Sequence, residues 1–193
     1  RNPYLGSQEF YNDFCNFDVS ITVPANYLVW ATGDLQNCSD VLTDKYCERL
    51  SNAEKKDDIV FIVDENDLKA GGITKGTSWK FKAAHVTDFV FALSDHYVWN
   101  SSSLVVDNKT GRRTRVDAVF NTKHKNFFNV IGYARKTVGL MSYQFPKWPF
   151  PYNHETVFDG LDQMEYPMMV NDNPVDAVEY DIELTDHEIF HTM

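Results

Sequence analysis

The sequence predicts a mainly β protein with an α+β carboxy-terminal part. Residues 17–120 contain short runs in which apolar and polar side chains alternate, the pattern of strands with one buried face. Aromatic residues, which favour strands, make up 15% of the chain. From about residue 121 the apolar residues recur instead at helical spacing. We therefore predict a β-rich, sandwich-like module at residues 1–120 and an α+β module at residues 121–193.

The first module contains several strand patterns and one helical pattern. Alternating residues 17–23 end at the turn signal of Pro24, and a second apolar run covers residues 27–31. Apolar residues spaced three or four apart predict a short helix between residues 41 and 54. The remaining predicted strands are 59–63, 79–83, 88–93, 97–99, 104–106 and 115–120, with a hairpin turn at 107–111.

A regular apolar repeat opens the second module. Between Phe127 and Phe145 the apolar residues follow i, i+3, i+4, i+7 spacing, which predicts an amphipathic helix over residues 124–145. Prolines at 146, 149 and 151 end that helix. Residues 152–184 are predicted to form short strands and loops, and a second helix is predicted to begin at 184–186.

Composition excludes some classes of function. The net charge of -10 argues against a nucleic-acid partner, because too few cations are present to neutralise phosphates. No run approaches the roughly 18–20 apolar residues of a membrane span. Three cysteines (Cys15, Cys38 and Cys47) allow one disulfide and leave at least one free thiol. Because the chain begins with Arg1 rather than Met, we expect it to start inside a longer precursor, which leaves the compartment open.

The pattern HExxH at residues 187–191 predicts a zinc site. On a helix, His187 and His191 lie one turn apart on the same face, so both imidazoles can reach one Zn²⁺. Glu188 then lies near the open coordination position, where it can act as the general base toward an attacking water. Glu188 also has a purely structural interpretation, because Thr185 and Glu188 fit a capping box at the start of a helix.

Catalytic zinc sites of this kind use three protein ligands, and the pattern provides two. The third ligand is not among the last two residues of the chain. Upstream candidates, none of which is singled out by its spacing, are Glu155, Glu165, Glu179, Glu183, His154 and His96.

A second motif precedes the zinc pattern. Residues 160–167 contain Met164, Glu165 and Tyr166, and together with HExxH they resemble the gluzincin aminopeptidases of the aminopeptidase N type. Those enzymes carry a Gly-x-Met-Glu-Asn motif on a strand shortly before the zinc helix, and its glutamate holds the free α-amino group of the substrate. The resemblance implies that role for Glu165 and substrate contacts for Met164 and Tyr166. A carboxylate suits the task because it pairs with an ammonium and fixes which peptide bond meets the metal.

The match departs from the family motif at two positions. Asp162 stands where the motif has glycine, which adds a second carboxylate near the substrate, and Tyr166 stands where it has asparagine. The resulting Met-Glu-Tyr-Pro sequence is similar to that of a bacterial branch of these enzymes. Without HExxH nearby, Met164, Glu165 and Tyr166 would equally describe an edge strand with a solvated acid.

Weaker similarity extends over nearly the whole chain. Residues 10–24, 79–83, 88–92 and 97–99 resemble strands of the family's amino-terminal β-saddle domain. The helix at 124–145 resembles the first helix of the thermolysin-like catalytic domain. The resemblance therefore implies a partial saddle-like module followed by the opening of a thermolysin-like domain.

The resemblance implies that the parent protein is a zinc aminopeptidase acting on peptide substrates, with one zinc ion as cofactor. Family members take the third ligand, a glutamate, and an oxyanion-stabilising tyrosine from segments beyond the second histidine. We therefore expect this chain, as a fragment, to bind zinc weakly and to hydrolyse nothing. Two alternatives remain, a zinc endopeptidase with Glu165 as a structural acid, and a non-catalytic scaffold of the same fold. An exported location, periplasmic or cell-surface, is favoured over a cytoplasmic one.

Overall fold

Most of the described elements are strands, and the part of the chain after residue 120 contains both strands and helices. This confirms the predicted mainly β class with an α+β carboxy-terminal part. The computed structural model describes residues 12–174 and 178–192, so residues 10 and 11 of the first segment that resembles a β-saddle strand lie outside it. The described elements, in chain order, are β1 (Cys15–Thr22), β2 (Leu28–Ala31), β3 (Asp34–Leu35), α1 (Cys38–Val41), α2 (Asp44–Ala53), β4 (Val60–Val63), α3 (Glu65–Ala70), β5 (Ser78–Val86), β6 (Phe91–Ser94), β7 (Val98–Asp107), β8 (Arg112–Phe120), α4 (Phe127–Tyr143), β9 (His154–Asp159), β10 (Met164–Tyr166), β11 (Met169–Asp172) and α5 (Val178–His191).

The described strands form three sheets. A three-stranded sheet has the order β1-β5-β3, and a two-stranded sheet pairs β2 with β6. The third sheet has six strands in the order β10-β11-β9-β8-β7-β4, and its pairs β8–β9 and β9–β11 are parallel. This sheet is continuous across residue 120, because β4, β7 and β8 share it with β9, β10 and β11. The division into modules at that residue stays a prediction.

Two apolar clusters hold these layers together. The first lies among the two smaller sheets, α1 and α2, and the edge of Trp30 meets Trp99 of the large sheet with ring centroids 5.7 Å apart. The second lies between the large sheet and the helices α4 and α5, where Ile131, Val157 and Ile189 are buried. Full burial of a side chain such as Ile189 contributes about 1.5–3 kcal/mol, so this apolar contact helps to hold α5 against the sheet.

Several element boundaries differ from the predictions. The helix predicted between 41 and 54 is two helices, α1 and α2, because the backbone at Leu42 is extended. Helix α3 was not predicted, although Asp64 and Asp67 form a capping box at its start. The runs predicted at 97–99 and 104–106 belong to the single strand β7, whose polar middle is buried. Strand β6 begins at Phe91, three residues later than predicted.

The predicted start of the last helix is wrong. Helix α5 begins at Val178 rather than at 184, so Thr185 lies inside the helix and not at its amino-terminal cap. The Thr185 hydroxyl instead donates a hydrogen bond of 2.9 Å to Asp172 Oδ2 at the end of β11. The capping-box interpretation of Thr185 and Glu188 is therefore wrong, because Thr185 serves to fix α5 to the sheet.

The cysteines form one disulfide and leave one free thiol, as predicted. Cys38 in α1 and Cys47 in α2 form a disulfide, and Cys15 is a free, exposed thiol. The bridge ties two short helices whose own backbone hydrogen bonds are few. Among the described residues no helix is both long enough and apolar enough to cross a membrane.

Glu155 is an unusual buried residue of the large sheet. Its side chain is fully buried on β9, and neither carboxyl oxygen has a hydrogen-bond partner among the described residues. Burial, and secondarily the charge of Asp117, raises the pKa of Glu155 well above its ordinary value. The folded protein therefore holds this carboxyl protonated at a pH at which the unfolded chain ionises it.

This arrangement makes stability depend on pH. Stability is lost as pH rises above about 4.3, the ordinary pKa of glutamate, at about 1.4 kcal/mol per pH unit until the folded state also ionises. We predict that Glu155→Gln is more stable than the wild type at pH 7 and about equally stable at pH 4, as measured by urea unfolding. A variant that loses stability equally at both pH values would contradict the assignment of a neutral Glu155.

Candidate functional site

Helix α5 carries three of the predicted site residues, and its contacts fix their directions. Ile189 is buried against the sheet, and Thr185 is hydrogen bonded to Asp172. Asp186 accepts a hydrogen bond from Thr137 of α4, which holds the opposite flank of the helix. With these residues turned inward, His187 and His191 remain exposed, whereas Glu188, next to Ile189, is only 5% exposed.

The two histidines of HExxH face each other. Their Nε2 atoms are 3.1 Å apart, and their ring centroids are 4.7 Å apart. Two imidazole nitrogens bound to one tetrahedral Zn²⁺ at about 2.0–2.1 Å lie about 3.3 Å from each other. The distance between the Nε2 atoms is therefore close to that of two ligands of one zinc ion, and it also lies within hydrogen-bond range.

Strand β10 brings Glu165 to the same place. It pairs antiparallel with β11, with Glu165 opposite Val170, and Glu165 Oε1 lies 3.8 Å from His191 Nδ1. That distance is too long for a hydrogen bond, but it puts a carboxylate beside the ring nitrogen that faces away from His187. The Glu165 carboxylate therefore acts on His191 through its charge and not through a hydrogen bond.

Glu188 lies against Glu165. Burial, followed by the negative charge of Glu165 and a hydrogen bond between the two carboxyl groups, raises the pKa of Glu188. The positive charge available at His187 and His191 acts in the opposite direction. A carboxylate with a raised pKa is a stronger base, so this environment suits a group that accepts a proton during catalysis.

A cavity of about 300 Å³ lies beside these residues, between the sheet of β1 and β5 and the end of α5. The carboxy-terminal part contributes Tyr152, Met164, Glu165, Tyr166, Pro167, His191 and Thr192. The amino-terminal part contributes Phe14, Thr87 and Asp88. The structure thus brings Met164, Glu165, Tyr166 and His191 together on one cavity, and Glu188 and His187 border the same group of side chains.

The loop between β2 and β3 holds β10 in position. Thr32 Oγ1 donates a hydrogen bond of 2.9 Å to the carbonyl of Pro167, and Gly33 N donates to Met168 Sδ at 3.0 Å. Gly33 has a φ of +96°, and a Cβ there would lie 2.6 Å from the Lys82 carbonyl oxygen, so only glycine fits. These residues were missed by the sequence analysis because 135 positions separate the partners.

Gly160, which begins the second motif, is required for a close approach. A Cβ on Gly160 would lie 1.6 Å from Asn171 Oδ1. The Asn171 side chain is held in this position because its Nδ2 donates a hydrogen bond of 2.6 Å to the carbonyl of Asp162. Asp162 itself is exposed and does not line the cavity beside His191. Its carboxylate therefore points to no described group of the site.

No third residue completes a metal-binding group with His187 and His191 among residues 12–174 and 178–192. His154 Nε2 is 2.9 Å from the Gly33 carbonyl, and His96 Nδ1 is 2.7 Å from Asp95. Both are therefore engaged elsewhere. The side chain of Glu179 lies outside the described part of the chain.

The contact between Thr32 and Pro167 can be tested directly. Thr32→Val removes a buried hydroxyl that donates to the Pro167 carbonyl and accepts from Val90 N, so we predict a loss of about 1–3 kcal/mol of stability. Hydrogen exchange should show faster exchange of amides in residues 164–170. Thr22→Val, at an exposed position on β1, is the matched control and should change neither quantity. Unchanged exchange at 164–170 would show that the loop does not hold β10.

No protein-family model matches the sequence, and no curated protein sequence is significantly similar to it. The functional interpretation therefore depends on the geometry around α5 and β10 and on the two motifs those elements carry.

Proposed function

We propose that the protein is a zinc aminopeptidase that removes residues from the free amino end of peptides. The observation that carries this proposal is the arrangement of α5 against β10. It places two imidazoles with Nε2 atoms 3.1 Å apart beside the carboxylate of Glu165, 3.8 Å from His191. A structural helix has no need to bring two imidazoles together next to two carboxyl groups, whereas a metallopeptidase requires that combination.

In this proposal His187 and His191 hold the zinc ion through their Nε2 atoms. A glutamate outside the described residues completes the ligand set, as the family resemblance implies. When bound, the ion supplies Lewis-acid polarisation of the scissile carbonyl and activation of the attacking water.

Glu188 acts as the general base and acid. Its partly buried carboxylate accepts a proton from the attacking water and then delivers it to the amine that leaves. The raised pKa of Glu188 supports both steps, because the proton is accepted readily and is held next to the leaving nitrogen. Glu165 lies close to Glu188, so in the absence of substrate the negative charge of one carboxylate disfavours ionisation of the other.

Glu165 is proposed to recognise the substrate's free amino group. An ammonium placed at this carboxylate removes the like-charge repulsion between Glu165 and Glu188, so binding favours the ionised form of the base. Met164 and Tyr166 border the same cavity and provide apolar and aromatic contact for the first residue. Anchoring at this point restricts cleavage to the first peptide bond.

We further propose an exported location, periplasmic or cell-surface. The disulfide between Cys38 and Cys47 supports it, because such bonds form and persist in oxidising compartments.

The choice between an aminopeptidase and an endopeptidase is tested with Glu165. In the full-length protein, Glu165→Gln should reduce kcat/KM for a leucine arylamide by about 10²-fold, because a charge-assisted contact to the substrate ammonium is lost. The wild type should not cleave the N-acetylated arylamide. Gln163→Glu, on an exposed neighbouring position, is the control and should retain activity. Cleavage of N-blocked peptides at rates equal to those of free ones would instead support an endopeptidase.

Metal dependence is tested separately from substrate choice. A chelator should abolish activity of the full-length protein and added Zn²⁺ should restore it. His187→Ala combined with His191→Ala should remove high-affinity zinc binding in calorimetry while the circular dichroism spectrum stays unchanged, since both side chains are exposed. Retention of tight zinc binding by the double variant would exclude these histidines as ligands and leave the scaffold alternative.

A further inference from the structure

We propose that Asp88 makes the site selective for peptides whose first residue is basic, arginine or lysine. The inference rests on the proposed aminopeptidase function and adds the substrate class. It assigns a role to a residue of the amino-terminal part that belongs to neither sequence motif.

Asp88 is placed on the cavity by the end of β5. Because β6 starts only at Phe91, Asp88 lies in the connection between the two strands and is free of the strand ladder. It lines the same cavity of about 300 Å³ as Glu165 and His191. The side chain of Asn12 donates a hydrogen bond to Asp88 Oδ1, which holds the carboxylate in place without neutralising it.

The negative charge of Asp88 acts on Tyr166 of the second motif. Burial raises the pKa of Tyr166, and the negative charges of Asp88 and Glu165 raise it further. The two carboxylates therefore act on one aromatic ring from the two sides of the cavity. Among the described residues that line this cavity there is no lysine or arginine, and Asp88 and Glu165 are its two acidic residues.

A peptide with an apolar first residue provides one positive charge, its α-ammonium, which Glu165 matches. Asp88 then remains unpaired beside bound substrate, which is unfavourable in a partly buried site. A basic first residue provides a second positive charge for Asp88. Tyr152 and Tyr166 line the cavity with aromatic faces, on which the alkyl stem and the charged end of lysine or arginine pack well.

The experiment compares arginine, lysine and leucine arylamides with the full-length protein. The wild type should show kcat/KM for the arginine and lysine substrates at least about tenfold above that for leucine. In Asp88→Asn this preference should fall about tenfold, through a higher KM for the basic substrates and an equal or lower KM for the leucine substrate. Asp13→Asn removes the same charge from an exposed residue that does not line the cavity, and it should keep the preference.

The outcomes separate the two proposals. Equal effects of Asp88→Asn on arginine and leucine substrates, or a wild type that prefers leucine, would overturn the role of Asp88 while leaving the aminopeptidase intact. Absence of turnover on every arylamide would overturn the proposed function. In that case calorimetry with arginine amide and leucine amide still decides the role of Asp88, because arginine amide should bind more tightly to the wild type and lose that advantage in Asp88→Asn.

Discussion

The packing of α5 on the large sheet determines where the other side chains of the candidate site lie. Ile189 is fully buried, and the hydrogen bond from Thr185 to Asp172 fixes the rotation of the helix about its axis. Because residues four apart share a helix face, that rotation sets both His187 and His191 outward and one turn apart. Glu188, adjacent to Ile189, is carried toward the sheet and meets Glu165 of β10. A change in the packing of α5 on the sheet would therefore move the proposed metal ligands and the proposed general base together.

The same packing brings carboxyl groups close together, which lowers the stability of the folded protein. Glu188 and Glu165 share a hydrogen bond and repel each other when ionised, and Glu155 is buried on β9 with no hydrogen-bond partner for its carboxyl oxygens among the described residues. Uncompensated polar groups of this kind are concentrated at functional sites, where binding of a ligand relieves them. The loop at Thr32 and Gly33 limits how far Glu165 can move away from Glu188, because it is hydrogen bonded to Pro167 and Met168 next to the strand that carries Glu165.

Local patterns predicted those parts of the molecule whose partners are close in sequence. Alternation located most strands, apolar periodicity located α4, and the HExxH spacing placed His187 and His191 on one helix face. The start of α5 was not predictable in this way, because Thr185 matches a capping signal and only its contact with Asp172 shows its actual role. Thr32 and Asp88 reach the site through contacts between distant segments, and no local pattern marks either residue. A third zinc ligand is implied by the family resemblance alone, and none is present beside His187 and His191 among the described residues.

The central claim is that His187 and His191 bind one metal ion beside Glu188 and Glu165. The most direct measurement is an anomalous difference map at the zinc edge from crystals of the full-length protein grown with zinc. The account predicts one peak within about 2.1 Å of both Nε2 atoms, with Glu188 beside it but not coordinating it. A zinc-containing crystal with no peak between these nitrogens, or with the ion bound at other residues, would contradict the account.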